Sequence, residues 1–418
     1  MMEKAVILST GDELITGRVV DTNSAYIADK LYGLGLEVAA VLKVGDSRER
    51  LLWALRNGLE MGDLVIGTGG LGPTTDDLTT EVVGAFLGRE LRLDEGVAES
   101  LRRRFASRGL EMTANNLKQA LFPQGADIVP NPVGSAPGFR VTAGERKHLI
   151  WLSGVPREME AMLKESVLPW VAEQRKGAGE ILGCTFKVYG LTESKLGDML
   201  KPIPISDRVR LSYRAHYPDL TLRLVVLGGG EKRFAELAAR IRELIGPHIY
   251  AEADESLEEI VGRLLLEKRW TLALAESCTG GYIGHRITRV PGSSAYFKTS
   301  AVTYSNESKS RFLGVQGATL KQHGAVSRET ALAMAEGVRR QAEADIGLSV
   351  TGIAGPAGGT ADKPVGTVWI GLARDRGSDA RLIRLAGDRE RVILGASQAA
   401  LHWLRTVLLG GEISGDGK

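Results

Sequence analysis

Ser277 stands in the run Glu276-Ser277-Cys278-Thr279-Gly280-Gly281, directly after the apolar stretch 271–275. A serine at the end of a strand and the start of a helix exposes its hydroxyl. Nearby backbone N–H groups can then stabilise an oxyanion. The run is not Gly-x-Ser-x-Gly, so it is not the usual hydrolase elbow, and no histidine holds an obvious paired position. Without histidine, a serine can use lysine as its base if burial and cationic neighbours lower the amine's pKa. Tyr304-Ser305-Asn306-Glu307-Ser308-Lys309 supplies Lys309, with Tyr304 as a candidate proton relay. A second glycine turn, Gly352-Ile353-Ala354-Gly355-Pro356, would close the pocket with backbone donors. Spacing alone favours a simpler alternative, in which Ser277 is an N-cap and Lys309 a solvated surface lysine. Cys278 is a rival nucleophile, although a small buried cysteine is the commoner case.

A second group of residues lies near the amino end. Three glycine turns each follow an apolar run, at 9–13, 68–73 and 153–156. In an open α/β sheet, ligands sit at the carboxyl ends of the strands, where successive N–H groups can bind phosphate. Thr74, Thr75, Asp76 and Asp77 come straight after the second turn. Paired carboxylates beside a phosphate cradle suit a divalent cation such as magnesium. The competing reading makes Asp76 and Asp77 caps of the next helix, and spacing does not separate the two. No Walker pattern with its lysine is present, which counts against a P-loop NTPase.

These residues need strands to carry them. Apolar runs at 4–8, 37–44, 63–67 and 148–152 alternate with helical periodicity at 23–36, 47–61, 78–87, 95–108, 113–121 and 155–173. The alternation predicts a mostly parallel α/β sheet. A polar, glycine-bearing stretch at 173–179 reads as a linker. A small α+β unit follows, with strands near 181–189, 208–213 and 220–227. Gly228, Gly229 and Gly230 read as its strand-to-helix turn. From about 256 a new α/β pattern begins, closed by a helix at 389–408. The domains expected are therefore 1–172, 180–250 and 256–410, with a frayed tail from Gly410.

Composition bounds the function. The 418 residues suit two or three domains at ~100–200 residues each. The net charge of +2 excludes a basic nucleic-acid footprint and argues against a polybasic membrane binder. Two cysteines, Cys184 and Cys278, cannot make a disulfide scaffold or a four-ligand zinc site. No signal peptide and no apolar run long enough to span a membrane is seen, so the cytoplasm is the expected address. Glycine is abundant, 52 residues, and clusters in short turns beside apolar runs.

The motifs also carry a resemblance. Gly11-Asp12-Glu13-Leu14 with Asp21-Thr22-Asn23, and Thr68-Gly69-Gly70-Leu71-Gly72-Pro73-Thr74-Thr75-Asp76-Asp77, look like the molybdopterin-binding fold of molybdenum-cofactor biosynthesis enzymes. Adding Asn115-Asn116, Gly134-Ser135-Ala136-Pro137-Gly138 and Gly154-Val155-Pro156-Arg157-Glu158-Met159 makes the first domain closer to the amino half of the CinA competence/damage-inducible family. Ala275–Gly281, Gly292-Ser293-Ser294, Val302–Asn306, His323–Ser327, Gly352–Pro356 and Lys363–Val368 run in the order of that family's carboxyl domain. The middle unit resembles the family's KH-like insert. It lacks a Gly-x-x-Gly loop and a basic stripe, so it reads as a spacer or dimer contact rather than an RNA binder.

The resemblance implies two activities. The carboxyl domain would deamidate nicotinamide mononucleotide to nicotinic acid mononucleotide, with Ser277, Tyr304 and Lys309 as catalytic residues and no metal. Thr279, Gly280 and Gly281 would hold the phosphate, and the turn Gly352, Ile353, Ala354, Gly355 would complete the pocket. The amino domain would be a metal-dependent ADP-ribose pyrophosphatase releasing AMP and ribose 5-phosphate. Its divalent metal would lie on Asp76 and Asp77, and its substrate on Gly11, Asp12, Glu13, Asn23, Gly69, Gly70, Gly72, Pro73, Thr74, Ser135, Gly138 and Gly154. A homodimer is implied as well. Rival expectations are an amino domain that binds a pterin or nucleotide without hydrolysis, and an adaptor in DNA uptake or repair.

Overall fold

The structure is a computed structural model that describes residues 2–144, 146–175, 181–206 and 208–411. Most of the expected linker, 176–179, and the tail from 412 lie outside the described residues. The chain divides into two compact units, Met1–Gly183 with Val225–Phe234, and Cys184–Leu224 with Ala235–Lys418.

The first unit carries strands β1 (Lys4–Thr10), β2 (Glu37–Val44) and β3 (Leu64–Thr68), a small pair β4 (Leu91–Leu93) and β5 (Leu121–Pro123), then β6 (Asp127–Val129), β7 (Gly138–Ala143) and β8 (Lys147–Leu152). The large sheet has the order β2-β1-β3-β8-β7-β6. Its first four strands are parallel; β7 pairs antiparallel with β8, and β6 antiparallel with β7. Alternation by two residues splits its core. Val6, Leu8 and Val65 pack with Leu51, Leu55, Val82 and Val83, whereas Ala5, Ile7, Leu64 and Ile66 pack with Ile27, Leu31, Met159 and Met162. Burial on both faces explains why these strands read as continuous apolar runs. The expected helix at 155–173 is Pro156–Met162 and Leu168–Gln174 joined by a π-helical turn at Leu163–Val167. The expected helix at 113–121 is a 3₁₀ segment, Ala114–Ala120.

A small sheet of β9 (Ile181–Val188), β10 (Val209–His216), β11 (Asp219–Leu227) and β12 (Ile249–Ala251) has the order β10-β11-β9-β12, with helices Glu193–Leu200 and Gly230–Ile245. The second unit ends in β13 (Leu272–Glu276), β14 (Phe297–Val302), β15 (Ile346–Gly352), β16 (Thr367–Arg374) and β17 (Gly377–Arg384), ordered β14-β13-β15-β16-β17. β14, β13 and β15 are parallel; β16 pairs antiparallel with β15, and β17 antiparallel with β16. β13, flanked on both sides, is fully buried and ends on Glu276, so its last residue hands the chain directly to Ser277. Among the described residues no helix is long and apolar enough to cross a membrane.

Candidate active sites

Ser277 is held where β13 ends, its N–H donating to Val350 O of β15 at 2.9 Å. It is not a helix cap, because the next helix, Tyr282–Thr288, starts beyond Gly281. Lys309 lies on the helix Asn306–Leu313, whose start is fixed by a capping box between Ser305 and Ser308. The simpler reading of Lys309 as a solvated residue is corrected here. It is 1% exposed, and its Nζ lies 3.0 Å from Ser277 Oγ. Nζ also donates to the carbonyls of Thr303, at 2.7 Å, and Tyr304, at 3.5 Å. Burial pushes the Lys309 amine down to about 8, because a low-dielectric site disfavours the charged form. A neutral amine has two N–H bonds and one lone pair. With two carbonyls taking the N–H bonds, the lone pair is left facing Ser277 Oγ.

Cys278 is buried, and burial pushes its thiol up to about 12. It therefore stays protonated near neutrality and is a poor nucleophile. Tyr304 enters the site through its carbonyl. Its side chain is 59% exposed, and its hydroxyl accepts from Arg389 Nη2 at 2.7 Å. Arg389 Nη1 donates to Gly355 O at 2.8 Å, so one guanidinium ties the Tyr304 ring to the second glycine turn. Sequence reading missed Arg389. Its local signal is only its place as first residue of a helix capped by Asp388.

The turn after Ser277 does not serve as expected. Glu276 is 1% exposed, and its carboxylate accepts from the N–H groups of Gly281 (3.0 Å), Ile283 (3.1 Å) and Gly284 (2.9 Å) and from Ser300 Oγ (2.8 Å). Gly280 N–H donates to Ser277 O. A helix start already holding a carboxylate is less receptive to a second anion, and the N–H groups expected to hold a phosphate at Gly280 and Gly281 donate instead to Ser277 O and to Glu276. Among the described residues the N–H groups of Cys278 and Thr279 make no backbone–backbone hydrogen bond. Ile353 N–H donates to Thr367 O, and Gly352 pairs with Val368. That half of the second turn is thus committed to β16, while Ala354 is buried behind it.

In the first unit the carboxyl ends of the strands border a cavity of about 580 Å³. Gly11, Glu13, Asn23, Gly69, Gly70 and Gly72 line it, as do Asp76, Asp77, Ser135 and Gly154. Gly69 and Gly70 adopt positive φ, and a Cβ on Gly69 would come 2.4 Å from Thr10 O; only glycine fits there. The N–H groups of Gly70, Leu71 and Gly72, all lining residues of the cavity, carry no hydrogen bond among the described residues. Asn23 Nδ2 donates to Gly154 O at 2.9 Å and joins the first turn's side to the third. Glu158 also lines the cavity and accepts from Ser153 Oγ and Asn131 Nδ2, both at 2.8 Å.

Four expected contacts stand outside this cavity. Asp12 is engaged with Asp46, whose N–H it accepts and to whose carboxylate its own N–H donates. Pro73 and Thr74 border a different depression. Gly138 is packed against Trp151 O and Met162, where a Cβ would clash. Neither Asp76 nor Asp77 caps the helix Thr79–Leu87, whose N-cap is Leu78. Asp77 instead accepts from the N–H and hydroxyl of Thr74, while Asp76 stays exposed on the cavity wall.

Among the described residues no group of three or more His, Cys, Asp or Glu is arranged to hold a metal ion. Magnesium, however, keeps several waters and asks for one or two carboxylates plus phosphate oxygens. Asp76 and Asp77 beside the free N–H groups of 70–72 fit a cation that arrives with a phosphate.

The fold and these two sites define a multidomain α/β protein, with a molybdopterin-binding-like domain in its amino-terminal sequence and a buried Ser–Lys pair in its carboxyl-terminal sequence. The probable molybdopterin binding domain matches residues 6–173, the damage-inducible protein CinA KH domain 184–251, and the CinA C-terminal domain 254–408. A CinA-like protein of Geobacter metallireducens is 45% identical over 414 residues, covering 97% of this chain and 99% of that one. A putative competence-damage inducible protein of Thermoanaerobacter pseudethanolicus is 42% identical over 411 residues, with 97% and 99% covered. The solved structure of CinA, of unknown function, from Thermoplasma acidophilum is 37% identical over 41% of this chain and 98% of that one, with a TM-score of 0.38. The chain belongs to the CinA competence/damage-inducible family, and the expected fold class is borne out in all three parts.

Proposed function

We propose that the protein is a bifunctional hydrolase that deamidates nicotinamide mononucleotide in its carboxyl domain and cleaves ADP-ribose in its amino domain. The observation that carries the first activity is the 3.0 Å approach of a buried lysine amine to Ser277 Oγ. Ser277 attacks the carboxamide carbon and its proton passes to the neutral Lys309 amine. The N–H groups of Cys278 and Thr279 hold the oxyanion. As the C–N bond breaks, the Lys309 ammonium returns the proton and ammonia leaves. Water, deprotonated by the same amine, then hydrolyses the ester on Ser277. Because the N–H groups of Gly280 and Gly281 already have acceptors, Arg389 supplies the cation for the nucleotide phosphate, beside Tyr304.

The amino-domain reading rests on the cavity that joins free N–H donors at 70–72 to Asp76. Asp76 and Asp77 would hold a divalent cation, which when bound neutralises diphosphate charge and polarises the bridging oxygens. The glycine turn orients the diphosphate, and Asn23 keeps the two turns in register. A homodimer, as the family resemblance implies, belongs to this reading and is checked by sedimentation. Incubating the whole protein with nicotinamide mononucleotide should release ammonia, and with ADP-ribose plus magnesium should release AMP. Binding of ADP-ribose without AMP would make the amino domain a binding module. Tight DNA binding at physiological salt would favour the adaptor instead.

A further inference from the structure

The helix Arg389–Leu408 begins on the residue that the deamidase reading gives to the nucleotide phosphate. The first N–H groups of any helix lack intrahelical acceptors, so its first turn frays unless held from outside. Here the Asp388 carboxylate caps it by accepting from Arg391 N–H at 2.9 Å. A second hold comes from the KH-like middle domain. The Tyr217 ring, in the turn between β10 and β11, stacks on the Arg391 guanidinium, with 4.0 Å between ring centroid and Cζ.

The contact continues down one face of the helix, on which positions 391, 395, 398 and 402 fall by their spacing. Gly395 stands in the helix interior, where glycine is costly. A Cβ there would come 2.4 Å from the Tyr217 hydroxyl, so the missing side chain makes a seat for that residue. Gln398 is fully buried and donates through Nε2 to Asp219, the first residue of β11. Tyr250 of β12 hydrogen-bonds the same carboxylate. The rings of His402 and Tyr189 stand 4.8 Å apart. The middle domain thus grips the helix along its length, and the grip nearest the tip is Tyr217. At that tip Arg389 reaches Gly355 O and the Tyr304 hydroxyl.

We propose that Tyr217 is a positioning residue for Arg389, so that the middle domain sets the phosphate subsite of the amidase domain and is more than a spacer. The inference rests on the deamidase reading above for what Arg389 binds. What it adds is the source of Arg389's fixed place: a turn that touches no substrate and holds the first helical turn from outside.

The test compares wild type, Tyr217→Ala and Tyr217→Phe as the full chain in steady-state deamidation of nicotinamide mononucleotide. Loss of a contact made equally to substrate and transition state raises KM and leaves kcat in place. Tyr217→Ala should raise KM about fivefold with kcat held within about twofold. Tyr217→Phe keeps the ring face and should match wild type. Tyr217→Leu carries the alanine expectation and takes its place if that variant does not fold. Unchanged KM in the alanine variant would overturn the proposal. So would a fall in kcat as large as the rise in KM, which marks general disruption of the site, or an equal loss in Tyr217→Phe. Hydrogen exchange on the free protein separates this inference from the reading beneath it. Amides 389–392 should exchange faster in Tyr217→Ala than in wild type, with 398–408 unchanged. If wild type releases no ammonia yet those amides respond in this way, the deamidase reading fails and the positioning stands. If they do not respond, the positioning fails.

Discussion

A buried lysine whose pKa falls to about 8 is a base near neutral pH and a burden to folding. The rate of acylation should follow its neutral fraction. For nicotinamide mononucleotide, kcat/KM should rise through a midpoint near 8 and level above it; a profile flat from pH 6 to 10 would remove Lys309 as base. The effect of the same shift on stability has the opposite sense. Lys309 titrates lower in the folded chain than its ordinary 10.5. The folded state therefore bears its full penalty below about 8, and the penalty fades as pH rises toward 10.5. Lys309→Met should abolish deamidation and stabilise the fold at pH 7 by about 1–3 kcal/mol, read by denaturant unfolding. The gain should shrink above pH 8.

Elements place these residues more than neighbouring side chains do. Ser277 is the first residue past a strand buried on both faces, and the turn that follows is clamped by the Glu276 carboxylate. Removing that carboxylate leaves three N–H groups and the Ser300 hydroxyl without their acceptor. Glu276→Ala should cost about 2–4 kcal/mol in thermal or denaturant unfolding, with Glu276→Gln costing less. The strand-end glycine turns were legible because doubly buried strands read as apolar runs and glycine marks the break. What spacing left hidden was the use of each N–H group. A glycine-rich helix start reads as an anion site, and nothing local says that Glu276 already fills it. Arg389 was hidden for a related reason: it reaches Tyr304 from 85 positions away, which only the folded sheet brings together. Asp12, Gly138 and Thr74 sit in glycine-bearing motifs, yet their contacts are with Asp46, Trp151 and Asp77.

At the scale of the whole molecule, the two sites belong to different units and use separate residues. Asp76→Asn should suppress AMP release from ADP-ribose at least tenfold and leave ammonia release from nicotinamide mononucleotide unchanged. Loss of both activities in that variant, with the fold intact by circular dichroism, would show that the sites are coupled. The family assignment covers nearly the whole chain. The chemistry proposed for it rests on one pair of side chains. The most direct measurement is ammonia release from nicotinamide mononucleotide by wild type, Ser277→Ala and Cys278→Ala side by side. Activity is expected in wild type, near-wild-type activity in Cys278→Ala and none in Ser277→Ala. Undiminished release by Ser277→Ala would contradict it.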